Sequence, residues 1–424
     1  MSTNWLRSLA VYGDRRIWPL GLLGFASGLP LSLSGGTLSA WLSDAHISKQ
    51  SIGLFAWVGS IYAFKFLWSP LVDRIELPWL AIRLGQRRSW MVLAQVLLAV
   101  SLAAMALVDP AKTPWTTAAL AVLVALWSAT QDIAIDAFRV ERAGPDHQGD
   151  AASMAVFGYR VGFLAGSAGT LYVAEFGGWS AAYFTVAGVM AGALAVTLAC
   201  AEPMTRMERG LGGPSVGWLK WLQTAVVQPL VDFATRPGWL TILLFVALFK
   251  VGDKMAATMF NPFYLELGFS KVEIANVTKV FGLGATLVGA AAGGALVHAV
   301  GIGRGLWLGG MAQTLTLALY GLQAVLGHNL AALATVHSLE QAGSAIGTAA
   351  FTAYLSSLCN VRYTATQYAL LTSAAELVRL PLPPVVGWVA EHCSWLVFFE
   401  VAALATLPGL LVLARLQFAR PKPT

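Results

Sequence analysis

The stretch 179–200, WSAAYFTVAGVMAGALAVTLAC, contains no charged side chain and is followed by a polar segment punctuated by Gly and Pro. An α-helix rises about 1.5 Å per residue, so a helix of this length crosses the roughly 30 Å hydrocarbon core of a bilayer. We therefore predict that this stretch is a transmembrane helix.

Stretches of this kind recur along the whole chain. Of the 424 residues, 57% are hydrophobic and only 11% are charged, whereas soluble domains carry roughly 25% charged residues. The apolar runs alternate with short loops, and they have room for about twelve membrane crossings. The predicted helices are 17–42, 52–72, 90–109, 115–138, 151–174, 179–200, 239–265, 273–299, 304–326, 330–358, 364–390 and 395–416.

Lys and Arg are distributed unequally between the loops at the two ends of these helices. If the N-terminus is cytoplasmic, eighteen of them lie in cytoplasmic loops and tails, and three lie outside: Lys49, Lys112 and Lys271. Cytoplasmic loops of membrane proteins carry the excess of positive charge. We therefore predict a multi-pass protein with both termini in the cytoplasm. The net charge of +6 then needs no nucleic-acid partner to explain it.

The first six and the last six helices look like two copies of one unit. The offsets between matched positions decrease smoothly along the chain, as expected for duplicated halves with small insertions and deletions. Parallel six-helix halves are typical of the major facilitator fold. We predict an all-α membrane protein with twelve transmembrane helices in two pseudo-symmetric halves, 1–200 and 239–424, joined by a cytoplasmic linker, 201–238. The matched positions are Ser48–Ile52 with Ser270–Ile274, Arg160 with Arg379, and Trp179, Tyr183 and Phe184 with Trp395, Phe398 and Phe399.

The linker contains apolar residues at helical spacing. An amphipathic helix at the membrane surface explains this pattern, and a flexible connection explains it equally well. The residues are Trp218, Leu219, Leu222, Val226 and Leu230.

The loop after the second helix carries a split charged motif. Asp73-Arg74 is followed by Gly85-Gln86-Arg87-Arg88 after a ten-residue insertion. Facilitators commonly carry a compact G-x-x-x-D-R-x-G-R-R motif in this loop. We predict that Asp73, Arg74, Arg87 and Arg88 form a charged latch, which holds the cytoplasmic helix ends together in one state and opens in another.

Ionisable side chains inside the predicted helices indicate a functional cavity. A charge at the centre of a bilayer costs roughly 3 kcal/mol or more, so it normally faces a cavity or a partner. Six cations and five anions together favour a polar, water-filled centre. They are Lys65, Asp132, Asp136, Arg160, Lys250, Asp253, Lys254, Lys279, Glu340, Glu376 and Arg379.

Asp132 and Asp136 lie four residues apart on the fourth helix and therefore share one face. Two neighbouring carboxylates in a low-dielectric site cannot both ionise easily, so one can hold a proton near neutral pH. A proton-coupled carrier needs such a group. Ion pairing with Lys65, at a similar depth, is the alternative, and we favour proton coupling.

The charges of the second half allow two interpretations. Lys250 and Lys254 flank Asp253 on one face of the seventh helix, which suits either capture of a substrate carboxylate or an internal salt bridge. Arg160 and Arg379 lie near the middle of their helices and suit anion binding, although Glu376 is placed to neutralise Arg379. Lys279 and Glu340 are predicted to line the cavity. Aromatic candidates for substrate contacts are Trp41, Tyr62, Tyr159 and Tyr264.

Helix-breaking residues at corresponding places predict interrupted helices near a transport site. Close helix packing is the alternative for the glycines. The residues are Gly28-Leu29-Pro30 in the first helix, Gly158, Gly162 and Gly166 in the fifth, Asn261-Pro262 in the seventh, and Pro381, Pro383 and Pro384 in the eleventh.

The sequence contains few features that indicate an enzyme or a metal site. No Walker-type phosphate loop is present, which argues against ATP-driven transport. The three cysteines are scattered, and the six histidines show no ligand spacing, so we interpret the histidines as solvated residues. We predict no enzymatic activity, no metal and no cofactor, with the proton gradient as the energy source.

Several runs resemble the AmpG muropeptide permeases over nearly the whole chain. They include Phe64–Arg74, Ala129–Ala137, Gly158–Arg160 and Ala365–Leu371. The resemblance implies a facilitator fold and import of anhydromuropeptides across the inner membrane of Gram-negative bacteria, driven by protons. It also implies that Asp132 and Asp136 match an acidic pair of the family, and that Gln131 lies beside them in the cavity.

The resemblance implies further expectations. Lys65, Lys250, Asp253, Lys279 and Glu340 match cavity positions of the family. Better-known members extend past a twelfth helix, whereas this chain ends at Thr424. We expect a monomer in the lipid bilayer with a small-molecule substrate. A carrier for another amphoteric solute, such as a siderophore or a peptide, is the closest alternative, and a sensor or membrane enzyme is a more distant one.

Overall fold

The computed structural model describes residues 18–47, 55–143, 147–203, 227–377 and 382–418, and these residues are helical apart from short connections. In the first half the α-helices are α1 (Trp18–Leu31), α2 (Gly36–Asp44), α3 (Ser69–Arg74), α4 (Leu80–Leu84), α5 (Gln86–Met105), α6 (Pro114–Ala143), α7 (Gln148–Leu164) and α8 (Thr170–Ala199).

The rest of the described chain continues in the same way. Its α-helices are α9 (Gln228–Ala234), α10 (Trp239–Leu248), α11 (Val251–Glu266), α12 (Lys271–Asn276), α13 (Gly282–Val300), α14 (Ile302–Leu326), α15 (Leu330–Ser357), α16 (Thr364–Leu377), α17 (Leu382–His392), α18 (Trp395–Leu404) and α19 (Leu407–Phe418).

The predicted membrane crossings correspond to these helices, but several crossings are built from two or three pieces. Five helical stretches of the described residues are long and apolar enough to cross a membrane without a break. One of them, Gln148–Ala199, contains both the fifth and the sixth predicted helices, which meet at Gly178 with a positive φ of 78°.

The pieces are joined by irregular turns at similar places in the two halves. The second crossing contains a 3₁₀-helix, Ala56–Leu67, and the eighth contains a π-helical turn, Val277–Phe281. The fifth crossing contains a π-helical turn at Ala165–Gly169. Such turns inside helices are frequent at functional sites.

The predicted interruption of the first helix is correct to within one turn, because α1 ends at Leu31, directly after Pro30. The predicted interruption at Asn261-Pro262 is wrong. Helix α11 runs through Pro262, and the seventh crossing breaks earlier, at Lys250. The break is stabilised there because Gln313 donates a hydrogen bond of 3.0 Å to the Phe249 carbonyl.

The three glycines of the fifth helix serve close packing, as the alternative interpretation proposed. A Cβ atom at Gly158, Gly162 or Gly166 would overlap a backbone carbonyl of α1. Helix α7 therefore lies directly on α1, and it remains helical through Gly158 and Gly162. Pro381 of the eleventh crossing and the side chains of Pro383 and Pro384 lie outside the described residues.

The two ends of the bundle differ in how the halves meet. We call the end where α8 finishes and α10 begins the linker end, and the opposite one the far end. The two buried apolar clusters at the linker end each include residues of both halves: Ala365 and Ala369 pack into one, and Val140 and Ala152 into the other. The buried residues of each far-end cluster come from a single half. The linker end is thus closed by shared apolar packing.

Candidate functional site

The carboxylate of Asp73 joins the two halves at the linker end. It accepts hydrogen bonds from the backbone N–H groups of Ala365 at 3.1 Å and Thr366 at 2.7 Å, and from the Thr366 hydroxyl at 2.6 Å. These N–H groups open helix α16, and the first N–H groups of a helix lack partners and carry positive partial charge. A carboxylate is therefore well suited to this position.

Arg87 fixes the orientation of Asp73. Its guanidinium lies 2.7 Å from Asp73 and 2.6 Å from Glu141, and all three side chains are buried. A bonded network of charged groups avoids the penalty of an unpaired buried charge. Asp73 therefore reaches helix α16 from a rigid position.

Glu202 gives helix α5 a cap of the same type. Its two carboxylate oxygens accept the backbone N–H groups of Arg87 at 2.7 Å and of Arg88 at 3.1 Å. Burial raises the pKa of Glu202, and these two N–H groups offset part of that rise. Gly85 precedes the cap with φ of 87°, and a Cβ atom there would overlap Glu202. The loop geometry thus requires glycine at this position.

Of the four predicted latch residues, Asp73 and Arg87 contact each other, and the other two have different partners. Arg74 lies over the ring of Tyr363 at 5.1 Å, and the Arg88 side chain donates to the Thr197 carbonyl at 3.1 Å. Sequence reasoning missed Glu141, Glu202 and Thr366, because these partners are distant in the sequence.

The predicted acidic pair has two different environments. Asp132 accepts a hydrogen bond of 2.5 Å from the Ser27 hydroxyl, and no cation of the described residues lies within salt-bridge distance. Asp136 lies 3.9 Å from Lys65 and 3.5 Å from Arg139. The alternative of ion pairing with Lys65 therefore holds for Asp136 and not for Asp132.

Arg139 connects this cluster to the other half. Its guanidinium donates to the Ser356 hydroxyl at 2.9 Å and lies over the ring of Tyr368 at 5.1 Å. The sequence indicated only a loop cation here. The charged cluster of Lys65, Asp136 and Arg139 thus contacts the C-terminal half through Arg139.

In the C-terminal half, Lys250 forms an internal salt bridge. Its ammonium group lies 2.8 Å from Asp253, 2.7 Å from the Gln313 side-chain oxygen and 3.1 Å from the Ser344 carbonyl. Lys254 is directed away from Asp253 and lies 3.0 Å from Glu376. The geometry therefore supports an internal salt bridge rather than capture of a substrate carboxylate.

Some of the polar groups predicted to line a cavity have no such partner. No carboxylate of the described residues lies within salt-bridge distance of Arg160. Among the described residues, the side-chain oxygen of Gln131 is buried without a hydrogen-bond partner. The side chain of Lys279 and the whole of Arg379 lie outside the described residues.

The interpretation of the histidines needs correction for two of them. His337 is only 4% exposed and lies 2.7 Å from the Tyr320 hydroxyl, which lies 2.7 Å from that of Tyr264. His298 lies 3.1 Å from Asp150, a contact between the two halves. Both depend on neighbours from other helices, which helical spacing alone does not reveal.

Comparisons with known proteins identify the architecture. The profile of the Major Facilitator Superfamily matches residues 20–379. The solved structure of the proton:xylose symporter XylE superposes with a TM-score of 0.70 at 14% identity, covering 99% of this chain and 97% of that one. The human organic anion transporter MFSD10 superposes with a TM-score of 0.68 at 16% identity, covering 94% and 99%.

Two curated relatives are closer in sequence. The anhydromuropeptide permease of Escherichia coli K12 is 37% identical over 97% of this chain and 81% of its own length. The putative transporter AmpG 4 of Rickettsia felis is 36% identical over 96% of this chain and 98% of its own length. The chain belongs to the Major Facilitator Superfamily and, within it, to the AmpG permeases. The predicted fold is confirmed, and an AmpG permease is a transporter, not an enzyme.

Proposed function

We propose that this AmpG-type protein imports anhydromuropeptides into the bacterial cytoplasm for cell-wall recycling, together with protons. The observation that carries the proposal is the 37% identity over 97% of the chain to a relative named anhydromuropeptide permease. The protein then lies in the inner membrane as a monomer, with the linker end in the cytoplasm. The proton gradient supplies the energy, and no cofactor takes part.

The polar groups of the cavity region suit this class of substrate. A muropeptide presents sugar hydroxyls, several carboxylates and an amine. Arg160 offers a cation for a carboxylate, and such charge-assisted bonds are strong. The side-chain oxygen of Gln131, which has no partner in the described residues, and the Tyr62 hydroxyl offer hydrogen bonds to hydroxyl groups. Lys254 and Glu376 add a charge pair that is one-third exposed and able to rearrange around a ligand.

Asp132 is the proposed proton-coupling group of the N-terminal half. It has a hydroxyl partner and no cation within salt-bridge distance in the described residues, so a proton there removes no salt bridge. Asp132 lies one turn from Asp136, on the same helix face. A proton on Asp132 therefore changes the charge balance around Lys65, Asp136 and Arg139, whose contact with Ser356 joins the halves. We propose that proton binding to Asp132 in this way weakens or strengthens the contact that closes the linker end.

The test is uptake of a labelled anhydromuropeptide by cells that lack their own permease, with and without this gene, before and after a protonophore. We expect gene-dependent uptake that stops when the protonophore is added. Absence of uptake, with the protein present in the membrane, would contradict muropeptide import, and siderophores and peptides would be tested next. Uptake that persists with the protonophore would contradict proton coupling alone.

A further inference from the structure

Glu340 is a buried carboxyl group with no cation partner among the described residues. Its side chain lies in helix α15 and is 4% exposed. Its hydrogen bond within the described residues comes from the Gln341 amide at 3.0 Å. No Lys, Arg or His of those residues lies within salt-bridge distance. An unpaired carboxylate in such a position is costly, because burial removes its hydration.

Three charged groups act on Glu340 from beyond salt-bridge distance. Asp253 disfavours a negative charge on Glu340, whereas Lys250 and Arg160 favour it. The ammonium group of Lys250 has three hydrogens, and it has three acceptors already: Asp253, Gln313 and the Ser344 carbonyl. Lys250 is therefore fully engaged, and Asp253 is an anion that disfavours a second negative charge nearby.

We infer that Glu340 carries a proton in this closed state and is a second proton-coupling site, in the C-terminal half, beside Asp132 in the N-terminal half. This inference rests on the proposed function as a proton-coupled carrier. The carboxylate takes a proton from water at the far end, forming an O–H bond. That bond breaks, and the proton passes to water at the linker end, after the linker end has opened.

A polar chain lies on the far-end side of Glu340. His337 precedes Glu340 by three residues, so the two share a face of α15, and α15 begins at the far end with Leu330. The hydroxyls of Tyr264 and Tyr320 continue the chain from His337. These three side chains are hydrogen-bonded to one another and, in the described residues, not to Glu340; in this proposal they relay the proton towards it.

The first experiment is independent of the substrate. Infrared difference spectra of the purified protein between neutral and alkaline pH report protonated carboxyl groups. We expect the protonated-carboxyl band of the wild type to lose one component in Glu340→Gln, while any component from Asp132 remains. The matched control, Glu376→Gln, removes an acid of the same half that has a cation partner at 3.0 Å, and it should leave the band intact. A band that is unchanged in Glu340→Gln, or the absence of such a band in the wild type, would overturn the inference.

The second experiment uses proteoliposomes. Glu340→Gln should retain exchange of labelled for unlabelled anhydromuropeptide, which also shows that the variant is folded. Its ratio of protons to substrate in gradient-driven uptake should fall to about half of the wild-type ratio. An unchanged ratio would contradict the inference. If the wild type carries no muropeptide at all, the proposed function fails, while the infrared result still decides the protonation of Glu340.

Discussion

At the scale of single residues, the sequence could not predict that Asp132 and Asp136 have different environments. Both acids lie on one helix face, as their spacing predicts. Ser27 from α1 and the cations Lys65 and Arg139 determine which acid is ion-paired, and these contacts exist only after folding. The motif that contains Asp73 and Arg87, in contrast, was found from the sequence because its residues lie in one loop.

The substitution Asp132→Asn tests proton coupling at this scale. The amide retains the size of the side chain but cannot take up and release a proton in the transport cycle. We expect accumulation driven by a pH gradient to be lost, by about tenfold or more, while exchange of bound substrate continues. Asp109→Asn, in an exposed loop where Asp109 pairs with Lys112 at 3.2 Å, is the control and should behave like the wild type. Normal gradient-driven accumulation by Asp132→Asn would rule out its coupling role.

The substitution Gly162→Ala tests the packing of α7 on α1. The added methyl group would overlap the Phe25 carbonyl, and overpacking of this kind costs about 1–3 kcal/mol. Thermal unfolding in detergent should therefore show a lower midpoint than the wild type. Gly192→Ala in α8 has open space around the new methyl group and should leave the midpoint unchanged or raise it. Equal midpoints for the two variants would refute close packing as the reason for Gly162.

At the scale of helices, α16 is held from two sides at its N-terminus. Asp73 bonds its first backbone N–H groups from the N-terminal half. Asp232 of α9 bonds its Gln367 side chain at 2.7 Å. Of the predicted amphipathic helix in the linker, residues 218–226 lie outside the described residues, and α9 follows directly after them. Helix α9 therefore stabilises the position of α16.

The substitution Asp73→Asn tests the latch, and the accessibility of a cysteine at the linker end is the measurement. In a variant that lacks Cys200 and Cys393, the remaining Cys359 lies at the closed linker end, where its sulfur donates to the Leu355 carbonyl. Loss of the carboxylate weakens its bonds to α16 and to Arg87, so the linker end should open more often. We expect alkylation of Cys359 to become several-fold faster. An unchanged rate would show that Asp73 does not hold this end closed.

The pH dependence of the contact between α9 and α16 follows from Asp232. Burial would raise the pKa of Asp232, but hydrogen bonds from Gln367, Arg236 and Asn360 outweigh it and lower the pKa below 3.8. A lowered pKa means that the stabilisation is present above pH 3.8 and is lost as the pH falls below that value. Asp232→Asn should therefore lower the thermal midpoint by a constant amount between pH 5 and pH 8. A difference that varies across this range would contradict the assignment.

At the scale of the whole molecule, the architecture was predictable from the sequence, because long apolar runs and the bias of Lys and Arg are strong local signals. The interruptions were predicted less well. Pro262 is accommodated within a helix, whereas the break at Lys250 depends on Gln313 from another helix. Another contact between the halves, Asp150 with His298, joins residues far apart in sequence and was missed for the same reason.

The apolar clusters shared between the halves at the linker end have a consequence for the idle carrier. Separating the halves there transfers buried apolar surface to water, at a cost of about 25 cal/mol per Å², whereas each far-end cluster draws its buried residues from a single half. Opening the linker end therefore costs free energy that opening the far end does not. Access to the linker side must be driven by an interaction that replaces this lost burial.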